Sequence, residues 1–176
     1  MIVTYAAIGI CILLFILIYR SPAPIDKAIE LGALLPFRVK QGEYWRLLTA
    51  GFLHIRIPHI LMNLFALYNF GWLERSFGPI LFGSILLLAI IGGNLLSVFM
   101  GDENTITLGI SGGLYGLLAA YMVLLFKLGL LQDPGIQSSL LRVLITNLII
   151  NLFHNVSRLG HAGGFLTGFA IAMLVL

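Results

Sequence analysis

Charge is scarce in this sequence. Its 176 residues include 10 Lys and Arg and 7 Asp and Glu, a charged share of 10%. A soluble domain of this length carries about 25%. The hydrophobic share is 60%, too much to hide in one soluble core. Its natural solvent is lipid, and the class is a polytopic membrane protein. The net charge of +3 is small and the Lys and Arg residues are scattered singly, which argues against a nucleic-acid partner. Cysteine occurs once, as Cys11 in an apolar run. An intrachain disulfide and a Cys-rich metal site are therefore excluded. No Lys or Arg precedes the apolar run 2–19, and no small-residue cleavage site with a polar mature start follows it. That run reads as a first transmembrane helix rather than a removed leader.

What is present is a series of six apolar stretches, about 3–19, 58–73, 80–99, 110–126, 139–153 and 161–176. A crossing needs roughly 20 apolar residues, and several of these are short. They predict an all-α membrane protein, a single domain over 1–176 built as a six-transmembrane-helix bundle. The first connection, Arg20 to Arg56, is long and carries Pro22, Pro24, Pro36, Trp45 and Arg46 among apolar residues. Such a mixture favours the membrane interface. The other connections are short, so sequence neighbours are mostly neighbours in space.

Polar groups inside apolar helices need a partner or a use. Span two carries His59 and Asn63 on one face, at i and i+4. Span four opens with Gly109-Ile110-Ser111-Gly112, and span six with His161-Ala162-Gly163-Gly164. Spans two, four and six run in one direction, so these polar ends share a membrane face. Gly112 with Gly116, and Gly164 with Gly168, each form a GxxxG face that admits close backbone approach. His161 lies on the same face as Gly164 and Gly168, so packing the two glycine faces brings Ser111 and His161 within hydrogen-bond reach. A serine hydroxyl becomes a nucleophile when a base takes its proton, and histidine is the usual base. Taken singly, each residue has a plainer reading. Serine beside glycine is ordinarily packing, an interfacial histidine is ordinarily structural, and GxxxG says only that helices touch. The conjunction at one membrane face carries the catalytic reading. His54 and His59 lack metal-site spacing, with no HExxH and no carboxylate in that span, so no metal and no cofactor are expected.

These residues resemble a rhomboid protease, in order and over nearly the whole chain. The matching segments are Tyr44-Trp45-Arg46 in the first connection, Phe52-Leu53-His54 with His59-x-x-x-Asn63, Glu74-Arg75-Ser76-Phe77-Gly78, Gly109-Ile110-Ser111-Gly112 with Tyr115-Gly116, and His161-Ala162-Gly163-Gly164 with Gly168. The resemblance is to the minimal six-span bacterial type and implies an intramembrane serine endopeptidase. It implies that Ser111 is the nucleophile and His161 the general base and then acid. His59, Asn63 and the Ser111 backbone N–H would line the oxyanion hole. Tyr115 would pack on the His161 ring, and His54 would support the site near a hydrated cavity. Gly109, Gly112, Gly164 and Gly168 would support the site, and Trp45, Arg46, Glu74 and Arg75 would be structural. No acidic residue lies in the six spans, so a Ser-His-Asp triad lacks its third member. Asn147 and Asn151 on span five fit a partly polar face beside a lateral substrate route, and read more simply as interhelical hydrogen bonding.

The resemblance further implies transmembrane protein substrates within the lipid bilayer, both termini in the cytoplasm and the catalytic site toward the extracytoplasmic side. The cationic residues Arg20, Lys27, Arg38, Lys40, Arg46 and Arg56 all fall in the first connection. The positive-inside rule would place that connection in the cytoplasm. The family orientation is adopted here, with several of these charges expected to pair with Asp26, Glu30 and Glu43 in a folded loop. The lack of a targeting extension or seventh span favours a bacterial cell membrane, where the chain would be multi-pass. Two other classes stand against the protease. One is a proteolytically inactive rhomboid-like protein binding membrane clients, which would lack Ser111 or His161. The other is a small transporter or channel, which needs an ionisable residue at mid-membrane depth or helices broken in the middle.

Overall fold

The computed structural model describes residues 1–151 and 156–176. The expected end of the fifth stretch at 153, and His154 after it, lie outside them. The described residues form α1 (Ile2–Tyr19), α2 (Pro24–Glu30), α3 (Pro36–Lys40), α4 (Arg46–Thr49), α5 (Ile57–Phe70), α6 (Trp72–Met100), α7 (Ser111–Lys127), α8 (Pro134–Asn151) and α9 (Arg158–Val175). Prolines open several of these helices. Pro24 and Pro36 stand at the first positions of α2 and α3, and Pro58 at the second of α5, all within the first turn, where the N–H has no intrahelical partner to lose. Asp133 accepts from the Ile136 amide at the start of α8, and Ser157 caps α9 through the Gly160 amide.

Among the described residues, α1, α6 and α9 are long and apolar enough to cross a membrane; α4 with its 3-10 turn and α5 make a fourth candidate, bent by 95°. The apolar α7 is shorter. Helix α6 begins at Trp72, eight residues before the expected start of the third stretch. Gly78 breaks it, with φ 79° and ψ 159°, and Pro79 then restarts it. Glu74, left outside the expected spans, thus lies in the first turn of a long helix. It accepts from the Val3 and Thr4 amides at 3.0 and 2.9 Å and from the Thr4 hydroxyl at 2.7 Å. It ties the free N–H groups of α1 to the start of α6.

The first connection folds as α2, α3 and α4 around Arg46, which is 2% exposed. The Arg46 guanidinium donates to the Glu43 carboxylate at 2.6 Å and to the carbonyls of Ile29 and Ala33 at 2.7 and 2.9 Å. It also lies 4.6 Å from the Trp45 ring centroid. Lys27 pairs with Glu30, and Lys40 pairs with Glu103 rather than with a residue of its own loop. Asp26 forms no ion pair among the described residues, contrary to the expected pairing. Arg75 is exposed, and among the described residues it has no side-chain hydrogen bond or ion pair. Asn94 of α6 donates to the Leu47 carbonyl at 2.8 Å and pins α4 to the bundle.

Helices α6, α7 and α9 form the packed centre. A Cβ added to Gly164 would strike the Gly112 backbone, and one added to Gly168 would strike the Gly116 backbone. A second seam joins α6 to α9, where Gly93 lies against the Gly160 carbonyl and Gly163 against the Gly92 carbonyl. These contacts are backbone on backbone, so no side chain can turn aside to admit a larger residue. Gly164→Val is expected to lower stability by about 1–3 kcal/mol. Leu166→Ala, on the exposed face of the same helix, is expected to stay within about 0.5 kcal/mol. Thermal unfolding of the two variants in one detergent checks the contrast, and equal melting temperatures would contradict it.

Candidate active site

The glycine seam between α7 and α9 sets the distance between two polar side chains. Ser111 opens α7, and His161 stands in the first turn of α9, buried at 6% exposure. His161 Nε2 lies 2.9 Å from Ser111 Oγ. The Tyr115 ring, one turn after Ser111, stacks on the imidazole with centroids 4.1 Å apart and planes inclined by 17°. Asn151, at the end of α8, brings its side-chain oxygen 2.7 Å from His161 Nδ1. Its side-chain nitrogen donates to the Tyr115 hydroxyl and to the Asn147 carbonyl. The sequence reading treated Asn151 as interhelical hydrogen bonding in general. The structure gives its partners, and one of them is the imidazole edge opposite the serine.

The loop before Ser111 lies flush against α5. Gly109 has φ 119°, and a Cβ there would come within 2.8–3.4 Å of the His59 ring and the Asn63 amide nitrogen. Both the backbone angle and the space demand glycine. The loop is held by paired backbone bonds between Leu34 and Thr107 at 2.9 and 3.0 Å, and by the Gly109 amide on the Ala50 carbonyl at 2.9 Å. The first connection, far away in sequence, is thereby the support of the Ser111 loop. Asn63 donates one amide N–H to His54 Nε2 at 2.9 Å. His54 is fully buried, with its ring edge-on to His59 at 5.0 Å. His54 therefore backs Asn63 from beneath rather than facing open space.

Ser111, His161, His59 and Asn63 line one cavity of about 1780 Å³, which extends between α5 and α8 to Arg142 and Asn147. Small-molecule pockets measure roughly 300–1,000 Å³, so this cavity has room for a stretch of polypeptide. The first-turn N–H groups of α7 have no intrahelical acceptor, and no side chain caps them. They are available to an anion at Ser111. Among the described residues no group of three or more His, Cys, Asp or Glu could hold a metal ion.

The rhomboid domain model matches residues 41–176. The chain belongs to the rhomboid family. It is 38% identical over 158 residues to RHOMBOID-like protein 6, mitochondrial, of Arabidopsis thaliana, covering 87% of this chain and 51% of that protein. It is 32% identical over 152 residues to Rhomboid-like protease 1 of Toxoplasma gondii, covering 83% and 52%. It is 32% identical over 173 residues to Rhomboid protease GluP of Bacillus subtilis, covering 96% and 34%. The chain spans about half the length or less of these relatives. They come from organisms as different as a plant and a bacterium, and identify the family rather than one branch of it. The chain is accordingly a multi-pass helical membrane protein of rhomboid type, in a family whose members include named proteases.

Two features of this rhomboid site escaped the sequence reading. One is the second glycine seam, Gly92-Gly93 against Gly160 and Gly163, whose only sequence signal was a Gly-Gly pair in mid-helix. The other is the contact of Asn151 with His161. Its signal was weak because α8 is apolar on several faces and has no clear stripe to orient it.

Proposed function

We propose that this rhomboid is an intramembrane serine endopeptidase that cleaves transmembrane proteins through Ser111 and His161. The observation that carries the reading is the 2.9 Å approach of His161 Nε2 to Ser111 Oγ, part-buried in the wall of a cavity with room for polypeptide. His161 Nε2 takes the hydroxyl proton as Ser111 Oγ bonds to the scissile carbonyl carbon. The resulting oxyanion is stabilised by the Ser111 N–H, the second Asn63 amide N–H and His59, aided by the positive end of α7. Collapse breaks the C–N bond, and the proton passes from His161 to the departing amine. Water then attacks the acyl-serine as His161 takes one of its protons, and collapse breaks the C–Oγ bond, returning that proton from His161 to Ser111 Oγ and releasing the new carboxyl terminus. Tyr115 keeps the imidazole in plane with the serine throughout.

The substrates are membrane proteins whose helix is weakened near the cut by small or helix-breaking residues. They reach Ser111 from the lipid side between α5 and α8, where the cavity opens. The pairing of Lys27, Lys40 and Arg46 with acidic partners supports an orientation with the first connection outside, in a bacterial cell membrane crossed six times. Cationic groups neutralised in a folded loop hold a weaker topological signal than free ones. The purified protein in liposomes is expected to cleave a transmembrane reporter with a glycine-containing helix, and to spare one with an all-leucine helix. Cleavage of neither would overturn the reading. Asn63→Ala is expected to lower the rate by about 10²–10³, the cost of one lost oxyanion donor. Initial rates at saturating reporter check this, and an unchanged rate would remove Asn63 from the oxyanion hole.

A further inference from the structure

We infer that Asn151 is a positioning residue that sets the tautomer and the ring plane of His161, and so fills the place of the missing acidic group. The inference rests on the proposed roles of Ser111 and His161. Its logic begins at a main-chain atom. The Asn147 carbonyl oxygen can only accept a hydrogen bond, so the Asn151 side-chain atom 2.8 Å from it must be the nitrogen. The other amide atom, 2.7 Å from His161 Nδ1, is then the oxygen. An oxygen can only accept there, so Nδ1 carries the proton. Neutral imidazole has a single N–H, which leaves Nε2 with its lone pair toward Ser111 Oγ at 2.9 Å. A helix carbonyl thus determines, through one amide, which ring nitrogen is the base.

The same amide also controls the ring from below. Its second N–H goes to the hydroxyl of Tyr115, the ring that stacks on His161. One side chain therefore holds both the edge of the imidazole and the aromatic plate under it. All three hydrogen-bonding groups of Asn151 are used, which locks its own rotamer. The Asn151 carbonyl also accepts from Arg158 Nε at 2.9 Å, tying the end of α8 to the start of α9. When His161 takes the serine proton, Nδ1–H stays on the amide oxygen, so the ring does not turn in mid-reaction.

The test follows serine reactivity and the imidazole proton together. The rate of Ser111 labelling by a fluorophosphonate is measured for the wild type, Asn151→Leu and Asn151→Asp in detergent. Nitrogen-15 spectra of histidine-labelled protein, assigned with His161→Ala, report which ring nitrogen is protonated. The wild type is expected to show the Nδ1–H tautomer. Asn151→Leu is expected to label roughly 10- to 100-fold more slowly, part of the about 10²–10⁴ that general-base catalysis contributes, and to populate the Nε2–H tautomer. Asn151→Asp keeps an acceptor for Nδ1–H and lets the Tyr115 hydroxyl donate to it. It is expected to recover labelling to within about tenfold of wild type. If Asn151→Leu loses thermal stability but keeps the wild-type tautomer and labelling rate, Asn151 only joins helices and the inference fails. If the wild type is not labelled, or Ser111→Ala is labelled equally, the protease reading itself fails instead.

Discussion

Ser111→Ala and His161→Ala are each expected to abolish both cleavage of a transmembrane reporter and fluorophosphonate labelling. Ser111→Ala removes the only atom in the arrangement that can bond to the substrate carbonyl. His161→Ala leaves the hydroxyl but takes away the acceptor 2.9 Å from it. A serine hydroxyl without a base stays protonated at neutral pH, and the loss is expected to exceed the about 10²–10⁴ of general-base catalysis. The two residues act as a unit, so the double variant is expected to be no slower than either single one. Both substitutions shorten side chains beside the cavity without entering the glycine seam, and unfolding temperatures are expected to stay near the wild type. A Ser111→Ala protein that cleaves at the normal rate would sink the dyad. A wild type that binds the reporter without cutting it would favour a client-binding rhomboid relative.

The largest loss of stability is expected at Arg46, far from the serine. Arg46→Ala leaves the carbonyls of Ile29 and Ala33 without the donor they share and takes the cation from the Trp45 face. The Ile29 carbonyl keeps the Gly32 amide, but the buried Ala33 carbonyl is left unpaired at about 1–3 kcal/mol, and the lost packing of the buried arginine stem brings the cost to about 3 kcal/mol. Little is added for Glu43, whose side chain is 37% exposed and can return to water. Arg46→Lys is expected to recover only part of this, because an ammonium cannot span the carboxylate and two carbonyls as a planar fork does. Limited proteolysis within residues 20–56 is the sensitive readout, alongside thermal unfolding. The loop that carries Gly109 hangs on Leu34 and Ala50, so activity is expected to fall along with loop protection. Unchanged protease resistance in Arg46→Ala would contradict this account.

Much of this architecture was legible before any coordinates, and the reason is specific. Lipid forces apolar runs to be continuous, so α1, α6, α7 and α9 announce themselves. Glycine spacing then says which faces can touch, and Gly112–Gly164 and Gly116–Gly168 do touch. Those pairs carry Ser111 and His161 with them. The loop fold was not legible, because its contacts join distant groups that share no pattern. Arg46 finds the carbonyls of Ile29 and Ala33, Lys40 finds Glu103, and Asn94 finds the Leu47 carbonyl. Carbonyls leave no mark in a sequence. The partners of Asn151 were hidden for a related reason. They depend on how α8 is rotated about its own axis, and a helix with apolar residues on many sides does not encode that angle.

The seams of α6, α7 and α9 have a further consequence. Where most proteins space their helices with side chains, this one spaces them with main chain against main chain. Side chains can be exchanged, but peptide groups are common to every sequence. The gap between nucleophile and base is therefore gauged by parts that substitution cannot alter, as long as the glycines stay. The outward faces at Leu166, Phe169 and Met173 are free to follow whatever lipid surrounds them. The protein can adapt its exterior to a new membrane without recalibrating the chemistry inside.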